Sequence, residues 1–206
     1  MSGAAFVALG DSFVEGRGDV RAGRYHGWVP RFAGQLGVPT SRVRNLGAHG
    51  ATTTHVVDRQ LGDALARLGA PATRQASTVG VIVGVNDLVS DYEATRYAAN
   101  LRTILGRLND TAAVVFTATY PDIPARLPVP ENYRTLLRDR FGQANQALRS
   151  AAADTGTEVI DLLADPAWSR DEMWCADGLH PSSRGHAAFA ARAVELVSAR
   201  TGTVAA

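Results

Sequence analysis

Five short apolar runs punctuate the chain: Ala4–Leu9, Arg42–Asn45, Val79–Val83, Ala112–Thr119 and Glu158–Leu162. Several are continuous and rich in valine and isoleucine, which predicts strands buried on both faces. Between them, apolar residues recur at helical spacing. Trp28, Phe32 and Leu36 form one stripe, and Val57, Leu61, Leu65 and Leu68 a second. Tyr97, Leu101, Ile104 and Leu108 form a third, and Leu137, Phe141, Ala144 and Leu148 a fourth. Ser90-x-x-Glu93 has the spacing of a capping box and is expected to open the third helix. A last helix is expected from Ser182 or Ser183, through Phe189, Val194 and Val197, to a stop near Gly202. Strands alternating with helices predict an α/β protein, a parallel sheet covered on both faces. No repeat or linker divides the chain, so one domain over residues 1–206 is expected. The segment Tyr120–Pro130 holds four prolines, which disfavour helix. It follows the fourth strand, which puts it at the carboxyl edge of the sheet, where open α/β folds bind ligands.

Composition narrows the chemistry by exclusion. A chain of 206 residues can bury a good-sized core. The formal net charge is +1, so nothing points to nucleic acid or a membrane surface as partner. Arginine supplies all the basic charge and lysine is absent, which excludes a Walker A loop. Cys175 is the only cysteine, so an internal disulfide and a cysteine-based metal cluster are both excluded. The histidines lack clustered metal-ligand spacing. Gly16-Arg17-Gly18 lacks the third glycine of a dinucleotide fingerprint. Gly10-x-Ser12-x-Val14 lacks the second glycine of an α/β-hydrolase elbow. No apolar stretch is long enough to span a bilayer. With Met1 as the native start, the first strand begins too early for a signal peptide, and a cytoplasmic location is expected.

Four loops stand just past strands: Gly10-Asp11-Ser12, Asn45-Leu46-Gly47-Ala48-His49-Gly50, Gly84-Val85-Asn86-Asp87 and Asp177-Gly178-Leu179-His180. Doubly wound topology brings them to one edge. A serine is a poor nucleophile near neutral pH and needs a base. His180 suits that task, and Asp177, three residues earlier, can hold its imidazole in the right tautomer. An oxyanion then needs donors, which the Ser12 and Gly50 N–H groups and the Asn86 amide can supply. Each residue also has a plainer reading. Ser12 could be only a helix N-cap. Asp87 and Asp11 read best as structural loop residues. His49 reads as a solvent-facing loop residue, His186 as a packing or surface residue of the last helix, and Cys175 as an inert thiol. His26 has no evident partner.

These four segments together resemble the conserved blocks of the GDSL-type esterases of the SGNH hydrolase superfamily. The resemblance runs from first strand to last helix, with the blocks in the expected order. It implies a three-layer α/β/α, flavodoxin-like fold with a five-stranded parallel sheet and no metal or organic cofactor. It implies Ser12, Asp177 and His180 as catalytic residues and Ser12, Gly50 and Asn86 as the oxyanion hole. Gly47 is also available. Gly50 is preferred because the family's glycine lies five residues after the strand-end asparagine, here Asn45. Phe13 stands where the family usually has leucine.

The expected function is a serine esterase acting on small or medium carboxylic esters through an acyl-enzyme. The alternatives are an acyltransferase or cyclising enzyme using the same acyl-serine, and, less favoured, a non-catalytic binding protein. Pocket shape is expected to depend on Phe13–Arg24, Leu88–Tyr92 and Tyr120–Tyr133, with Phe13, Tyr120 and Trp174 as candidate substrate contacts. Arg17 and Arg126 read as solvated rather than as anion receivers.

Overall fold

The apolar run before Ser12 forms an interior strand of the sheet, second from one edge. The computed structural model describes residues 6–68 and 77–202, so Ala4 and Ala5 of that expected strand lie outside the described residues. Strand β1 (Phe6–Gly10) is buried along its whole length. Strands β2 (Val20–Arg21) and β3 (Arg24–Tyr25) pair antiparallel as a small exposed hairpin. Strands β4 (Val43–Asn45), β5 (Thr78–Ile82), β6 (Val114–Ala118) and β7 (Glu158–Ile160) complete the main sheet. Its order is β4-β1-β5-β6-β7, and every pairing is parallel. The chain thus steps from β1 to one neighbour and returns to the other side of β1. That reversal opens a crevice at the carboxyl end of β1, where such sheets bind ligands.

The helices are α1 (Ser12–Glu15), α2 (Trp28–Gln35), α3 (Thr53–His55), α4 (Leu61–Leu68), α5 (Val85–Val89), α6 (Ala94–Asn109), α7 (Glu131–Thr155) and α8 (Ser183–Thr201). Helices α2 and α8 pack on each other, α6 packs on α7, and α4 packs on β1. The result is the three-layer α/β/α, flavodoxin-like arrangement. Trp28 centres the aromatic core, its ring 4.9 Å from Phe189 and 5.9 Å from both Phe6 and Phe116. Gly80 in β5 makes room for it. A Cβ there would stand 2.7 Å from the Phe116 ring and 2.8 Å from Trp28, so a small residue offsets two large ones.

Three local features differ from expectation. Between α3 and α4 lies a π-turn, Val56–Gln60, whose extra residue rotates the second stripe. The buried face is Val56, Gln60, Leu61, Ala64 and Leu68, and Val57 and Leu65 are only half-buried. Glu93, not Ser90, caps α6: its carboxylate accepts from Thr95 N and Arg96 N. Ser90 instead donates its hydroxyl to Asn86 O. The β2/β3 hairpin was not foreseen. Its turn residues Ala22 and Gly23 both have positive φ, 49° and 75°, as a type I′ turn requires. Only Gly23 signals that in sequence.

Candidate active site

Gly10 ends β1 with φ of 148°, and a Cβ there would sit 1.8 Å from Ile82 O. Only glycine lets the chain turn so close to β5. Gln60 completes the strand end with its side-chain amide: Gly10 N donates to Gln60 Oε1 at 2.8 Å, and Gln60 Nε2 donates to Gly10 O at 2.9 Å. Asp11 caps α1 by accepting from Phe13 N at 2.9 Å. Ser12 is therefore the first helical residue rather than the cap. Its backbone N–H has no acceptor within the helix.

The loop after β4 lies beside it. Ala48 N donates to Gly10 O, and Ala51 N closes a turn onto Ala48 O. Gly50 is exposed with φ of 74°. Gly47, in contrast, is pressed against α1: a Cβ there would lie 2.3 Å from Glu15 N. The loop after β5 supplies Asn86, whose amide donates to Ala51 O at 2.9 Å. The buried Asp87 accepts from Thr53 N at 2.9 Å and from the Thr53 hydroxyl at 2.6 Å. Asn86 and Asp87 thus tie the β5 loop to Ala51 and Thr53, the residues that lead from Gly50 into α3.

The fourth loop arrives from the far end of the chain. Trp174 and Pro181 form an antiparallel bridge, and Cys175 N donates to His180 O. Within it, Asp177 Oδ1 accepts from Leu179 N and His180 N at 2.9 and 3.0 Å. Asp177 Oδ2 stands 2.7 Å from His180 Nδ1, and His180 Nε2 stands 3.0 Å from Ser12 Oγ. With a proton on Nδ1 shared with the carboxylate, Nε2 is left to accept from the serine hydroxyl. Burial alone would raise the Asp177 carboxyl. The His180 ring N–H and the backbone N–H groups of His180 and Leu179 outweigh it and hold the group below its ordinary range. The opposite happens at Asp11, where burial pushes the pKa up to about 7. Burial also raises Asp87. Burial and the Asp177 charge raise the Cys175 thiol, which disfavours its thiolate form.

A pocket that offers about 50 Å³ to the centres of water-sized molecules begins at Ser12 and His180. Phe13, Tyr120, Trp174 and Asn86 all line it, and Gly50 does not. Tyr120 contributes its ring only. Its hydroxyl donates to Val83 O and accepts a hydrogen bond from the Tyr97 hydroxyl at 2.7 Å. Leu88–Tyr92, expected to shape the pocket, does not line it, and Leu162, Trp168 and Ile123 do. Of these, Leu162 and Trp168 lay outside the expected segments. No signal marks them, because their approach depends on how the chain after β7 folds back. Arg126 is not solvated. It reaches Ser169 O and Asp171, and lies 5.6 Å from the Trp174 ring. Arg17 pairs with Glu15 at 2.8 Å. His49 is exposed, its ring 6.3 Å from that of His180. His186 is buried, with Nε2 2.7 Å from Arg17 O. Among the described residues there is no metal-ligand cluster and no helix long and apolar enough to cross a membrane.

Comparison with known proteins converges on one family. A model of the GDSL-like lipase/acylhydrolase family matches residues 8–188. No curated protein matches the chain in sequence. Among solved structures, a lipase/acylhydrolase from Enterococcus faecalis is 22% identical, with a TM-score of 0.68 and 95% of each chain covered. An α/β hydrolase from the metagenome of Lake Arreo is 20% identical, with a TM-score of 0.67 and 96% of this chain and 94% of that one covered. An acetylxylan esterase from Geobacillus stearothermophilus is 19% identical, with a TM-score of 0.67 and 98% and 96% covered. Forms of that esterase with alanine in place of a histidine or a serine are catalytic mutants. At these identities the structural likeness establishes the fold, and the family match extends over most of the sequence. The chain accordingly belongs to the GDSL-like lipase/acylhydrolase family and is a GDSL-type carboxylic ester hydrolase.

Proposed function

We propose that the protein is a serine esterase for small or medium carboxylic esters, working through an acyl-enzyme on Ser12. The observation that carries this reading is the continuous relay from Asp177 Oδ2 through both nitrogens of His180 to Ser12 Oγ, at the mouth of a largely apolar pocket. Ser12 Oγ attacks the ester carbonyl carbon while its proton passes to His180 Nε2. The resulting imidazolium is stabilised by the Asp177 carboxylate. The carbonyl oxygen becomes an oxyanion facing the Ser12 N–H, the Gly50 N–H and the Asn86 amide. Collapse breaks the carbon–oxygen bond to the alcohol, which takes the proton from His180. Water then repeats the sequence: it gives its proton to His180, attacks the acyl carbon and releases the carboxylic acid, and the proton returns to Ser12.

Ser12→Ala should remove nearly all hydrolysis of p-nitrophenyl acetate while circular dichroism stays unchanged, and wild type alone should react with a fluorophosphonate probe. An unchanged rate in a folded Ser12→Ala protein would defeat the proposal. Asp177→Asn should lower kcat by about 10²–10⁴-fold, as expected when the imidazole loses its orienting acceptor. A loss under about tenfold would reduce the machinery to a Ser12–His180 dyad.

A further inference from the structure

Two short segments carry the reacting side chains, and a buried histidine joins them behind the relay. Ser12 opens α1, and His180 stands just before α8. The turn that leaves α1 is bonded to Ser12 itself: Gly16 N and Arg17 N donate to Ser12 O at 3.1 and 3.0 Å. The Arg17 carbonyl in turn accepts from His186 Nε2 at 2.7 Å. His186 lies near the start of α8, and its backbone N–H donates to Ser182 O at 2.9 Å. A hydrogen-bonded path thus runs from the Ser12 carbonyl through Arg17 and His186 to the residues that follow His180. Other contacts press the same two segments together. A Cβ on Gly18 would lie 2.0 Å from Pro181 O, so the turn comes against the residue next to His180. Arg31 donates to Asp19 Oδ2 at 2.7 Å and to Ser183 Oγ at 2.9 Å. The Phe13 ring lies 5.1 Å from the His186 ring.

Packing alone does not call for histidine at this position. His186 is fully buried, and a phenylalanine or leucine would fill such space without polar atoms. A carbonyl oxygen can only accept, so the ring proton sits on Nε2. Nδ1 is then left buried with no partner among the described residues. That desolvation is unfavourable, and the bond to Arg17 O is what offsets it. Burial lowers the ring's pKa to about 4, so near pH 7 it is neutral and holds this one tautomer.

We infer that His186 is a positioning residue for the reaction, whose Nε2–H bond to Arg17 O keeps the Ser12 hydroxyl in register with His180. This rests on the serine mechanism proposed above and adds to it a residue that touches neither the substrate nor the relay. The relay does not fix its own spacing. Asp177 is half exposed, and a single hydrogen bond of 3.0 Å joins His180 to Ser12 across 168 residues of chain. Such a bond contributes little net stability, so contacts outside it set the separation. A misplacement of about 1 Å at the reacting atoms can lower the rate about 10²-fold.

Two variants separate the bond from the packing. His186→Phe keeps a ring against Phe13 and removes the donor. His186→Gln keeps an N–H donor at the same distance along the side chain. Steady-state kinetics on p-nitrophenyl acetate are read beside circular dichroism and the rate of fluorophosphonate labelling, which reports the nucleophile directly. His186→Phe should lower kcat about 10- to 100-fold, change KM by less than about twofold and slow labelling in parallel. His186→Gln should bring kcat back to within about threefold of wild type. Three results would overturn the inference: a folded His186→Phe protein with kcat within about threefold of wild type, equal losses in the two variants, or a loss confined to KM. If His186→Phe does not fold, His186→Gln decides. A kcat within about threefold of wild type supports the bond, and a larger loss in a folded protein refutes it. A wild-type protein that the fluorophosphonate does not label refutes the serine mechanism itself, whereas a labelled one with unaffected variants refutes only the role of His186.

Discussion

A carboxyl that is 4% exposed and titrates near 7 makes folding depend on pH in a definite direction. Asp11 has a higher pKa folded than unfolded, where it titrates near 3.8. Between those values the native state binds the extra proton, so stability falls as pH rises through this window and is level above it. Asp87, also raised by burial, adds a slope of the same sign. His186 works the other way. Burial lowers it from 6.5 to about 4, so the unfolded chain binds the extra proton between those values and stability is lost as pH falls through them. Because these slopes oppose each other, the Asp11 contribution is read as a difference. Asp11→Asn keeps an acceptor for Phe13 N and removes the titration. Its stability relative to wild type should grow from pH 4 to pH 7 by on the order of 2–4 kcal/mol and stay constant above. Urea unfolding of both proteins at pH 4, 6 and 8 measures this, and a pH-independent difference would contradict it.

At the scale of elements, the loop after β4 separates two glycines that sequence left as alternatives. Gly47 lies against the α1 backbone, while Gly50 faces open space at positive φ. Gly47→Ala forces a Cβ into backbone and should cost about 1–3 kcal/mol or more, or require α1 to move. Gly50→Ala meets only conformational strain, about 1 kcal/mol. Thermal denaturation should rank the two variants in that order. If Gly50→Ala were the less stable, Gly47 could not be the packing residue of the pair. Element positions were largely legible because burial on both faces leaves unbroken apolar runs such as Phe6–Leu9 and Val79–Ile82. Phase was less legible. The π-turn at Val56–Gln60 inserts a residue that no local pattern announces, and it turns Gln60 inward to serve Gly10. The cap of α6 was misplaced because Glu93 can serve as a cap with its own carboxylate, which the spacing Ser90-x-x-Glu93 does not distinguish from the reciprocal box.

On the scale of the molecule, aromatic packing connects the Ser12 segment to the helix that follows His180. Phe189 of α8 lies 4.9 Å from both Phe13 and Trp28. Phe189→Ala should lower stability by about 3–5 kcal/mol through the cavity it leaves. Because α1 and α8 then share a void, kcat should fall as well, by less than in Ser12→Ala. Denaturant unfolding and steady-state kinetics on one sample test both, and a loss of stability under about 1 kcal/mol would show that the core collapses around the gap. The sequence alone determined the strand and helix alternation, hence the parallel sheet, and it marked Ser12, Asn86, Asp177 and His180 by residue type and order. Those features are local: burial period and loop chemistry are written in neighbouring positions. The structure sets Ser12 and Asn86 in the first turns of α1 and α5 and the Asp177–His180 loop well past β7. Tertiary structure decided the rest. Crossover geometry sets the 3.0 Å between His180 Nε2 and Ser12 Oγ, and packing brings Leu162 and Trp168 over the pocket. Such contacts join segments up to 168 residues apart, and their cost and gain depend on every element packed between them.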